Sequence, residues 1–292
     1  MAPIVGGVRC PHGSLVASKA TRRRVWADVW HGIVESNPRY AGSTAFPADG
    51  PAEAAQLCAR LWQRGLRTSA GYFQPADAPA EAIVAAYRDL AARLREAGCD
   101  SYLSVKAPAF GFDPAALAAI AAAGLDVVLD AHAEPQAAAT LAMAAAQPGI
   151  GAVLPARWRR SLGDAEALRD APVRLRIVKG EWADPAGDLA DIDGAYRALV
   201  RVLAGRAAPV AIATHDPLLA EAALTMLKAA GTPCELEQLR GLPRRRTSAL
   251  AARLGVPVRL YCPFGPGWWP YAIDKALARP YLPLWAVKDW LA

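Results

Sequence analysis

Val210-Ala211-Ile212-Ala213, then Pro217 to Ala230, then Cys234-Glu235-Leu236-Glu237, then Arg245 to Leu254, then Val258-Arg259-Leu260-Tyr261: this stretch decides the fold. Short apolar runs alternate with longer Ala/Leu-rich segments whose charges recur at helical spacing. The longer segments open near Pro217 or after Pro243 and close at Gly231 and Gly255, the residue types that start and stop helices. Alternation of this kind predicts parallel strands, because a helix must carry the chain back along the sheet before the next strand begins.

Upstream, the same rhythm supplies five further strands: Gly65 to Thr68, Tyr102 to Val105, Leu125 to Leu129, Gly151 to Leu154 and Val173 to Val178. Helical segments lie between them over Pro79 to Ala97, Pro114 to Ala123 and Glu134 to Ala146, and Ile192 to Leu203 follows the fifth strand. Eight strand-helix units imply an α/β fold of the (β/α)8, or TIM-barrel, type over residues 51–292. A doubly wound open sheet normally carries a G-x-G-x-x-G after its first strand, and this chain has none. Residues 1–50, with Thr21-Arg22-Arg23-Arg24, Trp26 and Trp30, fall outside the rhythm and are expected to form an N-terminal helical arm.

The composition agrees: 54% hydrophobic and 21% charged residues leave ample apolar surface for a core and exclude wholesale disorder. A net charge of +6 is too modest for a nucleic-acid footprint. The basic groups Arg22 to Arg24, Arg157 with Arg159 and Arg160, and Arg244 to Arg246 are short and read as solvated helix ends, so no nucleic-acid partner is expected. Arg244 to Arg246 also suit a docking surface for an acidic carrier or partner protein. The five cysteines contain no C-x-x-C, which supports neither a disulfide framework nor a zinc knuckle and favours a reducing cytoplasm. No apolar run reaches transmembrane length, and the N-terminus lacks the order of a secretory signal.

In a barrel the chemistry sits where the strands end. Reading strand by strand, the polar residues there are Lys106, Asp130 with His132, Arg157, Arg176 with Lys179, Thr214-His215-Asp216, Glu237 with Arg240, and Tyr261.

At Arg176-Ile177-Val178-Lys179-Gly180 and Ala213-Thr214-His215-Asp216 the sequence resembles the proline dehydrogenase family of FAD-dependent barrels. Ser104-Val105-Lys106 is similar to that family's second strand, Leu129-Asp130-Ala131 to its third, Glu235 to Gly241 to its seventh and Arg259 to Gly265 to its eighth. The resemblance implies FAD at the C-terminal mouth, with Arg176 near flavin N5, where a fixed cation favours the anionic reduced ring. It implies Lys106 and Asp130 beneath flavin and substrate and Thr214-His215 on the phosphate or ribose side. Val178, Lys179, Gly180 and Glu237 join Arg176 among the cofactor-binding residues. The purely structural alternative for Arg176 is an ion pair with Asp130 or Glu237 inside the barrel.

The departures fall on the substrate side. The family's last helix carries a tyrosine and, three residues later, an arginine pair that clamps a carboxylate. Here that segment is Tyr271-Ala272-Ile273-Asp274-Lys275. Glu237 stands for a glutamine, Arg240 for a tyrosine, Pro155 for a glutamine, His132 for an acidic residue and Trp182 for a tyrosine. The substrate residues are taken as Arg240, Tyr261, Tyr271, Asp274 and Lys275, and the catalytic ones as Lys106, Asp130, His132 and Arg176. The expected activity is hydride transfer from a C–N bond of an amine or an imino/amino acid derivative other than free proline to FAD. Asp130, His132 or Glu237 would accept the amine proton, and His132 has the ordinary pKa nearest neutrality. Arg240 with Arg157 offers a substitute clamp for an anionic group. The electron acceptor, whether oxygen, a quinone or another protein, stays open.

Two other readings stay open. Asp130-x-His132, His215-Asp216 and Glu237 are plausible ligands of a metal-dependent barrel hydrolase or lyase. A non-catalytic binding protein that kept the barrel is the other. The aromatic run Trp268-Trp269-Pro270-Tyr271 to Trp290 is expected to pack on the barrel, with Trp268 or Trp269 walling the pocket and Gly265-Pro266-Gly267 bending the last helix over the mouth as a lid.

Overall fold

Strand and helix alternate in space as they do along the chain. The computed structural model describes residues 48–130 and 133–268. It begins with α1 (Pro51–Trp62), β1 (Arg67–Tyr72), α2 (Ala80–Glu96), β2 (Ser101–Val105), α3 (Pro114–Ala121), β3 (Val127–Leu129) and α4 (Ala137–Ala146). Next come β4 (Ile150–Pro155), α5 (Ser161–Ala167), β5 (Leu175–Val178), α6 (Ile192–Leu203) and β6 (Val210–Ala213). The series ends with α7 (Pro217–Ala229), β7 (Cys234–Leu239), α8 (Arg245–Leu254) and β8 (Val258–Phe264). Each strand pairs in parallel with the next, and β8 returns to β1 with Leu260 opposite Thr68, closing the barrel. The α/β barrel expected from the sequence is therefore the fold. Residues 1–47 of the expected arm lie outside the described residues; Ala48 bridges Phe264 and accepts a hydrogen bond from the Gly265 N–H at 2.8 Å.

The apolar core lies between the strands and the helical ring. In α2, Ile83, Tyr87, Leu90, Ala91 and Leu94 are buried at the spacing of one helical face. In α6 the same stripe is Tyr196, Leu199, Val200 and Leu203. Burying each leucine contributes roughly 1.5–3 kcal/mol. Both helices also place strand ends. Tyr87 donates its hydroxyl proton to the Ser104 carbonyl at 2.8 Å and accepts from the Tyr72 N–H at 3.0 Å, which ties β1 to β2 at the mouth. Tyr196 donates to the Ile177 carbonyl on β5 at 2.9 Å.

Helix starts follow local chemistry. Asp113, Asp191 and Asp216 cap α3, α6 and α7 by accepting from N–H groups of the first turn. Three strands run two or more residues further than the sequence suggests. β1 continues to Tyr72, β7 to Leu239 and β8 to Phe264, because cross-strand pairing persists: Tyr72 is opposite Phe264, and Leu239 is opposite Tyr261.

Candidate active site

The barrel interior is polar, and its side chains meet across the lumen. At the floor, the Glu235 carboxylate accepts from Arg259 at 2.8 Å, Arg174 at 2.6 Å and Arg67 at 3.4 Å, while Asp100 takes the far side of Arg259 and Arg67. Tyr102 packs against two of these guanidinium groups, with Arg259 and Arg174 4.9 and 5.1 Å from its ring centroid. Its hydroxyl points up and donates to Glu237 at 2.5 Å. Burial first, and then the negative charge of Glu237, raises the Tyr102 pKa, so the phenol remains a donor.

Glu237 organises the next level. Its Oε1 accepts from Ser69 Oγ at 2.6 Å and from Arg176 Nη1 at 3.1 Å. Arg176, only 4% exposed, also donates through Nη2 to Ser104 Oγ at 3.0 Å and to Asp130 Oδ1 at 2.9 Å. Burial opposes the charge on Arg176, but the surrounding Tyr102, Glu237 and Asp130 outweigh it and raise its pKa well above the usual guanidinium value. The guanidinium carbon stands 5.6 Å from the Tyr261 ring centroid. Two donors at this level, Arg176 Nε and the Tyr261 hydroxyl, are buried without a hydrogen-bond partner among the described residues.

Lys106 lies toward the mouth. Its ammonium donates to the Tyr72 carbonyl at 3.2 Å and sits 3.7 Å above the Phe73 ring. Phe73 in turn packs edge-on against Trp268, with centroids 4.8 Å apart. Burial, reinforced by the charge of Arg176 and opposed by Asp130, lowers the Lys106 pKa to about 8.

Lys106, Asp130 and Arg176 thus gather at one place, and Tyr261 joins them from β8. The purely structural alternative for Arg176 is realised as well: it pairs with both Asp130 and Glu237. Several expectations change. Glu237 is not at a strand end but 2% exposed inside the barrel, because β7 runs two residues beyond it, and its contacts are Ser69, Tyr102 and Arg176. Arg240 continues the outward register of Gln238, which bonds Thr247 on α8, and the groups acting on its charge include Cys58 and Arg60 of α1. Arg240 therefore leaves the substrate group.

Of the three arginines expected to be solvated helix ends, Arg160 stands at the N-cap of α5 and Arg159 is exposed, whereas Arg157 is largely buried. Arg157 pairs with Asp188 and donates to the Gly180 and Glu181 carbonyls, Arg159 bonds Asp184 and Gly187, and Arg160 grips Asp164. The loop after β5 folds back on the end of β4 and takes up Arg157 and Arg159, while Arg160 stays on its own helix with Asp164, so Arg157 is no substitute clamp. In that loop Gly180 has φ 102°, and a Cβ there would meet Arg157 and Pro155 side-chain carbons at 2.9–3.0 Å. Val178 at the end of β5 is half-buried against the cluster of Tyr102, Val128 and Val153.

Lys179 pairs with Asp193 at 2.6 Å and lies 3.8 Å from Asp216. Thr214 Oγ1 accepts from the Asp216 N–H at 3.1 Å. His215 accepts at Nε2 from the Leu239 N–H at 3.0 Å and meets the Pro243 carbonyl through Nδ1 at 2.8 Å, which fixes one neutral tautomer and braces β6 against the loop after β7. His132, Tyr271, Asp274, Lys275 and the expected lid lie outside the described residues. Among the described residues no three His, Cys, Asp or Glu side chains gather as metal ligands, and no helix is long and apolar enough to cross a membrane. Sequence reasoning missed Ser69, Gly71, Tyr102 and Ser104; their signal is the inward alternation shared with Arg67 and Lys106.

No protein-family model matches the chain. The proline dehydrogenase of Deinococcus radiodurans is 35% identical over 151 residues, covering 49% of this chain and 48% of that protein. Proline dehydrogenase 1 of Bacillus subtilis is 27% identical over 138 residues, 45% of either chain. Over about half of its length this chain is similar to proline dehydrogenases. It spans less than half the length of each of these two curated relatives. Solved structures agree on the fold. Proline utilization A from Bdellovibrio bacteriovorus, inactivated by N-propargylglycine, superposes with a TM-score of 0.70 at 18% identity over 86% of this chain and 34% of that one. Proline utilization A from Corynebacterium freiburgense gives 0.67 at 17% identity over 89% and 33%.

Proposed function

We propose that this chain binds FAD at the C-terminal mouth of its barrel and oxidises a C–N bond of an amine or an imino/amino acid derivative other than free proline. The observation that carries the reading is Arg176, a buried cation fixed inside the barrel by Glu237 and Ser104 and, on the side of the mouth, by Asp130. A preorganised cation in a water-poor site favours a group that gains negative charge on reduction. The residues fit a flavin in kind. Leaving a buried polar atom unpaired costs about 1–3 kcal/mol, and Arg176 Nε and the Tyr261 hydroxyl are two such donors awaiting an acceptor.

When bound, FAD would supply the two-electron chemistry by accepting hydride. The chain's own residues prepare the substrate. Lys106, lowered to about 8, is partly neutral at mildly alkaline pH and takes the proton from the substrate ammonium. Asp130, whose side chain is 21% exposed, is the carboxylate open enough to orient that ammonium. Against free proline stands the disposition of charge. Arg176 is committed to Asp130 and Glu237, Arg157 to Asp188, and Lys179 to Asp193. Among the described residues, an incoming carboxylate at this level would meet Asp130 beside the single cation Lys106, and no arginine fork.

The test is a visible spectrum of the purified protein reconstituted with FAD, followed by anaerobic mixing with proline and with cyclic and acyclic amines. A flavin band near ~450 nm that bleaches with an amine is expected. Colourless protein overturns the cofactor assignment, and faster bleaching by proline than by uncharged analogues overturns the substrate assignment.

A further inference from the structure

We infer that Glu237 is a positioning residue that orients Arg176 and offsets its charge, holding the reduction potential of the bound flavin below the value Arg176 alone would set. This rests on the flavin reading above. Arg176 contacts two carboxylates, but they differ in kind. Asp130 opens toward the mouth, where water screens it; Glu237 is 2% exposed, where water does not. In such surroundings a unit charge acts strongly over several ångströms.

Glu237 is also held in place. Ser69 from β1 and Tyr102 from β2 donate to its two oxygens at 2.6 and 2.5 Å, so the carboxylate cannot turn away from Arg176. Ser69 and Tyr102 have no reach to the mouth through these bonds, and their effect on a ligand passes through Glu237 and then Arg176. A glutamine at 237 would keep the shape and most of the hydrogen bonds while removing the negative charge. Arg176 would then present a less compensated cation, which stabilises a reduced, negatively charged ring more than an oxidised neutral one.

The experiment is a potentiometric titration of FAD-reconstituted protein, comparing the parent with Glu237→Gln, Tyr102→Phe and Asp130→Asn, with flavin content and thermal melting measured alongside. Glu237→Gln is expected to raise the equilibrium constant for flavin reduction about tenfold, or about 30 mV for a two-electron couple. Tyr102→Phe disturbs the same network without removing a charge and is expected to leave the potential unmoved. No shift in Glu237→Gln, or equal shifts in both variants, overturns the inference. Asp130→Asn removes the screened carboxylate and is expected to shift the potential less than Glu237→Gln; a larger shift overturns the inference. Should Glu237→Gln fail to fold, Glu237→Asp decides: drawing the buried carboxylate back from Arg176 is expected to raise the potential, and an unmoved potential overturns the inference. Protein that takes up no FAD is a separate result and defeats the functional reading itself.

Discussion

The phenol of Tyr261 occupies the space that a side chain at Gly71 would need. A Cβ built on Gly71 falls within clash distance of the Tyr261 hydroxyl and 3.0 Å from two of its ring carbons. The two residues face each other across the β1–β8 seam that closes the barrel, with Gly71 paired to Pro263. Tyr261 in turn lies against Arg176. Gly71→Ala is therefore expected to push Tyr261 off Arg176 and to destabilise the protein by about 1–3 kcal/mol, the usual range for overpacking. Urea unfolding checks the loss; an unchanged midpoint would mean that the ring moves freely and does not define the site.

Lys106 gives two pH dependences. Its pKa in the folded protein, about 8, lies below the ordinary 10.5, so between these values the unfolded chain binds more protons and stability rises with pH. The penalty for its buried charge is full below about 8 and fades toward 10.5. Lys106→Met should therefore be more stable than the parent at neutral pH, with the gap narrowing near pH 10 in parallel denaturation curves. Amine oxidation by the parent should rise through pH 8, and Lys106→Met should lose about a hundredfold in kcat. A flat profile in the parent would remove Lys106 as the proton acceptor.

Arg176→Met removes the only described cation in contact with both Asp130 and Glu237. Two carboxylates would face each other, one of them buried, at a cost of about 3–5 kcal/mol. Flavin reduction should slow greatly in the same variant. If calorimetry finds the melting temperature unchanged, the ion pairs of Arg176 are not part of the fold.

Glu235→Ala strips the barrel floor of the carboxylate shared by Arg259, Arg174 and Arg67. Arg259 is 1% exposed and would keep the Asp100 carboxylate as its one ion-pair partner among the described residues, beside the Thr68 and Asp100 carbonyls, so a loss of about 3–5 kcal/mol is expected. Flavin spectrum and potential should hardly change, because Tyr102 and the Glu237 level separate the floor from the mouth. A large spectral change would show that the two levels are coupled.

The barrel was legible because the pattern that defines it is local. Pro217, Gly231 and Gly255 punctuate α7 and α8 where the sequence places them, and α6 runs from Ile192 to Leu203 as expected. Strand ends were harder. Nothing in Gln238-Leu239 or in Ser69-Ala70-Gly71-Tyr72 marks them as extended, and they are strands because neighbouring strands supply their hydrogen-bond partners. The shift mattered at Glu237, which two extra residues moved from the mouth into the interior.

Residue types and their order sufficed to specify eight repeating units, a closed parallel barrel and a polar set converging on its C-terminal end, since hydrophobic period and turn chemistry are written in single stretches of chain. Which of those polar groups meet was a matter for the closed barrel alone. Contacts such as Ser69 with Glu237 and Arg176 with Ser104 join residues 168 and 72 positions apart. Their partnership, the inward or outward sense of Glu237 and Arg240, and the low pKa of Lys106 depend on burial and on distances across the lumen, quantities that exist only once all the strands have closed.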